Sequence, residues 1–102
     1  MRSYKVEFTR SAKSDLIEIF DHIAKDNPRA ASNFVTHLES QIRSLKEHPL
    51  RCPIIPETGE IKREYRQLLY GAYRTIFRIS TKRVIIIRVI HGARLLDLSV
   101  FQ

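Results

Sequence analysis

The sequence predicts an α+β domain in which a helix hairpin packs on one face of a small, mostly antiparallel sheet, in the order β-α-α-β-β-β. Three observations predict it. Two helical apolar stripes flank Asp26-Asn27-Pro28. Strand-like alternation fills residues 61–90, broken at Gly71 and at Ser80-Thr81-Lys82. A chain of 102 residues holds one modest core, so both halves must share it.

The elements follow in order. Tyr4, Val6 and Phe8 fall on one face of a short strand over Tyr4–Thr9. Thr9 or Ser11 caps a helix from about Ala12 to Lys25, with Ala12, Leu16, Ile19, Phe20 and Ile23 on its apolar stripe and Lys13, Asp15, Glu18 and Asp21 outside it. Asn27 suits an N-cap and Pro28 the first helical position, where the missing N–H costs nothing. The second helix runs to about Glu47 on Ala31, Phe34 or Val35, Leu38, Ile42 and Leu45. Pro49, Pro53 and Pro56 make the next stretch an extended connector, and Glu57-Thr58-Gly59-Glu60 a turn. Strands are expected at Ile61–Leu69, Tyr73–Ile79 and Arg83–Ile90. The last is apolar on both faces except at Arg88, as a central strand would be, covered by helices on one side and partly shielded on the other.

The whole chain, 1–102, reads as a single domain. No apolar run reaches the length of a membrane span, and Met1-Arg2-Ser3-Tyr4-Lys5 lacks the apolar stretch of a signal peptide. Cys52 is the only cysteine, which fits a reducing cytoplasm. His22, His37, His48 and His91 have neither an i,i+4 partner nor a nearby cysteine, so no metal site is expected. With glycine only at 59, 71 and 92 there is no phosphate-binding loop, and no cofactor is expected.

The net charge of +7 is unevenly placed. Residues 1–50 carry eight Lys/Arg against seven Asp/Glu, and residues 51–102 carry ten against four. A one-sided positive field favours polyanions or acidic protein partners. Arg66, Arg74, Arg78, Arg88 and Arg94 are the candidate binding residues, because guanidinium groups suit bidentate contact with phosphate or carboxylate. The competing view is that these arginines pair with Glu57, Glu60, Glu64 and Asp97, although four acids cannot offset ten bases. Arg74 and Arg78 share a strand face. Arg88 joins them if the hairpin turn has an odd length and is separated from them if it is even. His91 as acid or base, Glu57 as its partner and Arg74 as the stabiliser of phosphate charge would make a minimal metal-independent ribonuclease.

Several landmarks coincide along nearly the whole chain. They are Val6-Glu7-Phe8-Thr9-Arg10-Ser11-Ala12 with Asp15-Leu16 and Ile19, Asn27-Pro28 with Ala30-Ala31, and Leu45 with His48-Pro49. Glu64-Tyr65-Arg66, Tyr73-Arg74 with Phe77-Arg78, and Val89-Ile90-His91-Gly92-Ala93-Arg94 follow. As an ordered set they resemble the RelE/ParE superfamily of toxins from type II toxin–antitoxin systems. The resemblance implies the same α+β fold and a neutralising acidic antitoxin, a segment of which would fold across the basic sheet or the helix groove. ParE-like members poison DNA gyrase, whereas RelE-like members cut mRNA on the ribosome.

The resemblance puts Arg74 on the arginine of the Tyr-Arg strand motif. Arg94 and His91 fall near an arginine and a histidine of nuclease subgroups. Two departures weigh against a nuclease. The closely spaced lysines of RelE are absent near Tyr65 and Gln67, and the chain ends Leu98-Ser99-Val100-Phe101-Gln102 without the nuclease branch's tyrosine. The expectation is therefore a ParE-like gyrase toxin, with the ribosome-dependent nuclease as the alternative. A non-toxic basic nucleic-acid-binding module is the alternative from another class.

Overall fold

The computed structural model describes residues 3–57 and 64–92. Strand β1 (Lys5–Phe8) leads into helices α1 (Arg10–Ala24) and α2 (Pro28–Arg43). Two 3-10 turns follow, at Ser44–Lys46 and Pro49–Arg51, and then β2 (Arg66–Tyr70), β3 (Tyr73–Ser80) and β4 (Arg83–His91). The sheet order is β1-β4-β3-β2; β1 runs parallel to β4 and the other pairs are antiparallel. The expected order β-α-α-β-β-β and the mostly antiparallel sheet are both present.

The caps behave as their chemistry dictates. The Thr9 hydroxyl accepts from the N–H of Ala12 at 3.1 Å and donates to the carbonyl of Ile86 at 2.9 Å, so one side chain starts α1 and ties it to β4. Asn27 accepts from the N–H of Ala30 at 3.1 Å, with Pro28 opening α2. The second helix stops at Arg43, short of the expected Glu47, and tightens into the 3-10 turn that buries Leu45.

The main core lies between the helix pair and one sheet face. Leu16, Leu38, Ile42, Leu45, Phe77, Val84, Ile86 and Val89 fill it. Each such aliphatic or aromatic side chain contributes about 1.5–3 kcal/mol when fully buried. Two residues of α1 depart from the expected stripe. Phe20 is 37% exposed, whereas Asp15, placed outside the stripe, is buried at 7%.

A second, smaller core occupies the opposite sheet face, where Ile55, Tyr65 and Ile76 pack with Ile87. The connector makes it. Ile54 bridges Arg66, the N–H of Ile55 donates to Tyr65, and Pro53 accepts from Gln67, so residues 53–55 run along the outer edge of β2. β2 begins at Arg66, later than the expected Ile61; residues 61–63 and the turn residues 58–60 lie outside the described residues. The two-sided apolar pattern of the last strand thus has the physical cause expected of it.

The β3–β4 turn is Thr81-Lys82, an even turn, with Thr81 at φ 55°. Between Ile76 and Phe77 the register then shifts by one. Phe77 faces Ile86 and Ile76 faces Arg88, leaving Ile87 as the extra residue of a β-bulge.

Candidate functional site

The site is assembled where the β2–β3 turn meets the end of β4. Gly71 takes φ +57°, open to glycine without strain, and Phe34 of α2 packs 3.4 Å from where a Cβ would sit. The N–H of Gly92 donates to the carbonyl of Ala72 at 2.7 Å, which clamps the end of β4 to that turn. Gln67, Leu69, Gly71, Ala72, Tyr73, Arg74, His91 and Gly92 line a cleft of about 440 Å³. An aromatic row runs from α2 to the end of β4. Phe34 meets Tyr70 at 5.5 Å and Tyr73 at 5.6 Å between ring centres, both in tilted contacts, and Tyr73 meets His91 edge-on at 5.4 Å.

Arg74 is the charged centre of this cleft and is only 8% exposed. Its Nη2 donates to both carboxylate oxygens of Glu57, at 3.0 and 3.1 Å. Its Nε is buried and has no hydrogen-bond partner among the described residues, and the same is true of Gln67 Oε1. Burial pushes the Glu57 carboxyl up, but the hydrogen bond from Arg74, a backbone hydrogen bond and the charge of Arg74 outweigh it. The net result lies below the ordinary value of 4.5.

Two of the three residues of the expected nuclease set, Arg74 and Glu57, are thus in contact, and His91 lines the same cleft. A depressed carboxyl stabilises the fold above its unfolded pKa, and that stabilisation is lost as pH falls through the folded value. The stability advantage of the native chain over Glu57→Gln should therefore be full at pH 7 and shrink below pH 4.5. Urea denaturation across that range checks it, and a constant difference would remove the ion pair from the account.

The other arginines separate. Arg66 donates from Nη1 to the Cys52 carbonyl at 2.6 Å and from Nη2 to Glu64 at 2.8 Å, so it anchors the connector to β2. Arg88 is drawn to α1, where Asp15 accepts from its Nε at 2.7 Å and its Nη2 at 2.9 Å. The turn is even, which by itself would separate Arg88 from Arg74 and Arg78, but the bulge shifts the register by one and pairs Arg88 with Ile76, on the strand face of Arg74 and Arg78. What parts it from them is its ion pair with Asp15. Arg78 faces Ile85 from the same strand face as Arg74 and has no ion pair among the described residues. Arg94 lies outside the described residues.

The view that the arginines pair with acids holds for Arg66 and Arg74, with Glu64 and Glu57 as partners. For Arg88 the acid comes from the first helix, a partner that strand periodicity does not reveal. Asp15 is the residue that sequence reasoning missed. Its signal was positional, a carboxylate one step from Leu16 at the margin of the apolar stripe.

A helix pair on a four-stranded mixed sheet in this order is the RelE/ParE-like α+β fold. The sequence profile described as the ParE toxin of type II toxin–antitoxin system, parDE, matches residues 6–96, and the chain belongs to that toxin family. Among solved structures, it is similar to a chain of the chromosomal ParDE toxin–antitoxin system from P. aeruginosa. That match has a TM-score of 0.72 and 24% identity and covers 87% of this chain and 96% of that one. It is also similar to a chain of the toxin–antitoxin complex RelBE2 from Mycobacterium tuberculosis, with a TM-score of 0.54 and 30% identity, over 87% of this chain and 98% of that one. No curated protein matches it.

Proposed function

We propose that this toxin inhibits growth by acting on DNA gyrase in the cytoplasm and is neutralised by an acidic antitoxin. The observation that carries the choice of target is the Arg74–Glu57 pair. Cleaving RNA without a metal needs a cation free to meet developing phosphate charge and a base poised near neutral pH. Arg74 is buried and its charge is met by a carboxylate that a phosphate would first have to displace, and Glu57 is held below the usual carboxylate range, which makes it a weak base. The solved relatives come from toxin–antitoxin systems, which favours an antitoxin as partner. Arg78 and the apolar Ile17 and Phe20 exposed on α1 offer it charge and apolar surface.

The second reading is a RelE-like mRNA endonuclease on the ribosome, and it rests on His91 lining the same cleft as Arg74. Gyrase supercoiling assayed beside cleavage of message on translating ribosomes separates the two. We expect loss of supercoiling, intact message, and His91→Ala retaining growth inhibition. Cleaved message that disappears with His91→Ala, beside untouched supercoiling, would sink the gyrase reading. Unimpaired growth with soluble, folded protein would favour a non-toxic nucleic-acid-binding module instead.

A further inference from the structure

Arg74 and Arg88 are two guanidinium groups of one sheet, and they are satisfied unequally. Arg88 presents Nε and Nη2 side-on to the two oxygens of Asp15, the bidentate geometry that suits a carboxylate best. Arg74 gives Glu57 only Nη2, while its Nε stays buried without a partner among the described residues. A buried N–H left unpaired is costly, so this half of Arg74 is an open position for an acceptor. Gln67, on the same cleft, has a buried carbonyl oxygen in the same condition, an open position for a donor.

We propose that the cleft is a carboxylate-binding site on Arg74 which Glu57 occupies in the free protein, and that the acidic antitoxin fills it with a carboxylate of its own and turns Glu57 out. This rests on the antitoxin reading above. The incoming group takes Nε and Nη2 together, as Asp15 does on Arg88, and a peptide N–H beside it meets Gln67. Two carboxylates on one guanidinium repel, so Glu57 is a built-in competitor that sets how acidic and how well placed a partner must be. Leu69, 64% exposed, with Ala72 and Tyr73 gives the cleft apolar walls, which suit an acidic residue between apolar neighbours better than a nucleic-acid backbone.

The test follows the Arg74 Nε–H signal by NMR at neutral pH. N-acetyl-glutamate methylamide and dimethyl phosphate, equal in charge, are titrated against chloride at constant ionic strength. We expect the glutamate probe to bind the native chain weakly and Glu57→Gln about tenfold more tightly or better. Dimethyl phosphate should bind several-fold more weakly, and Arg74→Lys, followed through the side-chain amide signal of Gln67 on the same cleft, should not respond to the glutamate probe. In the native chain, saturating probe should also move the Glu57 carboxyl carbon toward the position of free glutamate, which reads displacement without a substitution.

The proposal is overturned if Glu57→Gln binds no more tightly than the native chain, if the Glu57 carbon stays in place, or if dimethyl phosphate equals the glutamate probe. A chain that inhibits growth but shows no gain on Glu57→Gln overturns the exchange alone. A chain that shows the gain without inhibiting growth overturns the toxin reading, and with it the antitoxin as the source of the carboxylate.

Discussion

Replacing Asp15 with alanine should destabilise the protein by about 3–5 kcal/mol, the loss expected when one partner of a buried ion pair is removed and the other is left. Asp15 does three things at once. It neutralises Arg88 through two hydrogen bonds, and it accepts the N–H of Val89 at 2.9 Å on the side of β4 turned away from β3. β1 pairs with β4 only as far as Phe8 and Ile86, so beyond that point the β4 edge needs another acceptor, and a side chain of α1 supplies it. Asp15→Asn keeps an acceptor for Val89 but not the charge and should cost less. Asp15→Leu with Arg88→Met should recover most of the loss, because an apolar pair of similar volume leaves no orphaned charge. Urea denaturation of the three variants decides the matter, and a loss below about 1 kcal/mol for Asp15→Ala would assign the pair to the weak surface class.

Phe77→Ala should cost a similar amount, about 3–5 kcal/mol, by leaving a cavity at the centre of the main core. Phe77 is fully buried and faces Ile86 across β3 and β4, one residue before the bulge. Its neighbours on the helices, Leu38 and Ile42, are fully buried as well and cannot move inward without breaking their own contacts. Domains of this size are stable by only about 5–15 kcal/mol, so the melting temperature should fall by more than about 10 °C. The urea midpoint should drop with an unchanged slope, as it does when stability changes without a change in the surface exposed. A small loss would mean that the helix pair closes over the gap.

The architecture was legible because its signals are local and repeated. Asn27-Pro28 suits a helix start by its own chemistry, and the run Val84–Ile90, apolar except at Arg88, fits a central strand covered on one face and partly shielded on the other. The site was legible as a set of residue types and not as an arrangement. Arg74 and Arg88 look alike in a strand pattern, and a one-residue bulge between Ile76 and Phe77, which no turn residue announces, fixes their relation. Their counterions come from a connector residue, Glu57, and a helix residue, Asp15, 17 and 73 positions away in the chain. Long-range ion pairs leave no periodicity, so three arginines that look alike in the sequence fall into three separate environments. Arg66 secures the connector, Arg74 waits in the cleft, and Arg88 locks the helix to the sheet.

The parallel pairing of β1 with β4 has a temporal meaning. Thr9 and Ile86, which bond to each other, stand 77 positions apart. A chain made from its N-terminus holds the first strand and both helices long before the strand that completes them, and their apolar faces have no sheet to cover until β3 and β4 emerge. Contacts this distant close slowly, since the loop entropy must be met before they form. The cleft stands at the end of β4, so it comes into being among the last features of the folded molecule. Until β4 has emerged the cleft does not exist, and the apolar faces of both helices stand without the sheet that covers them.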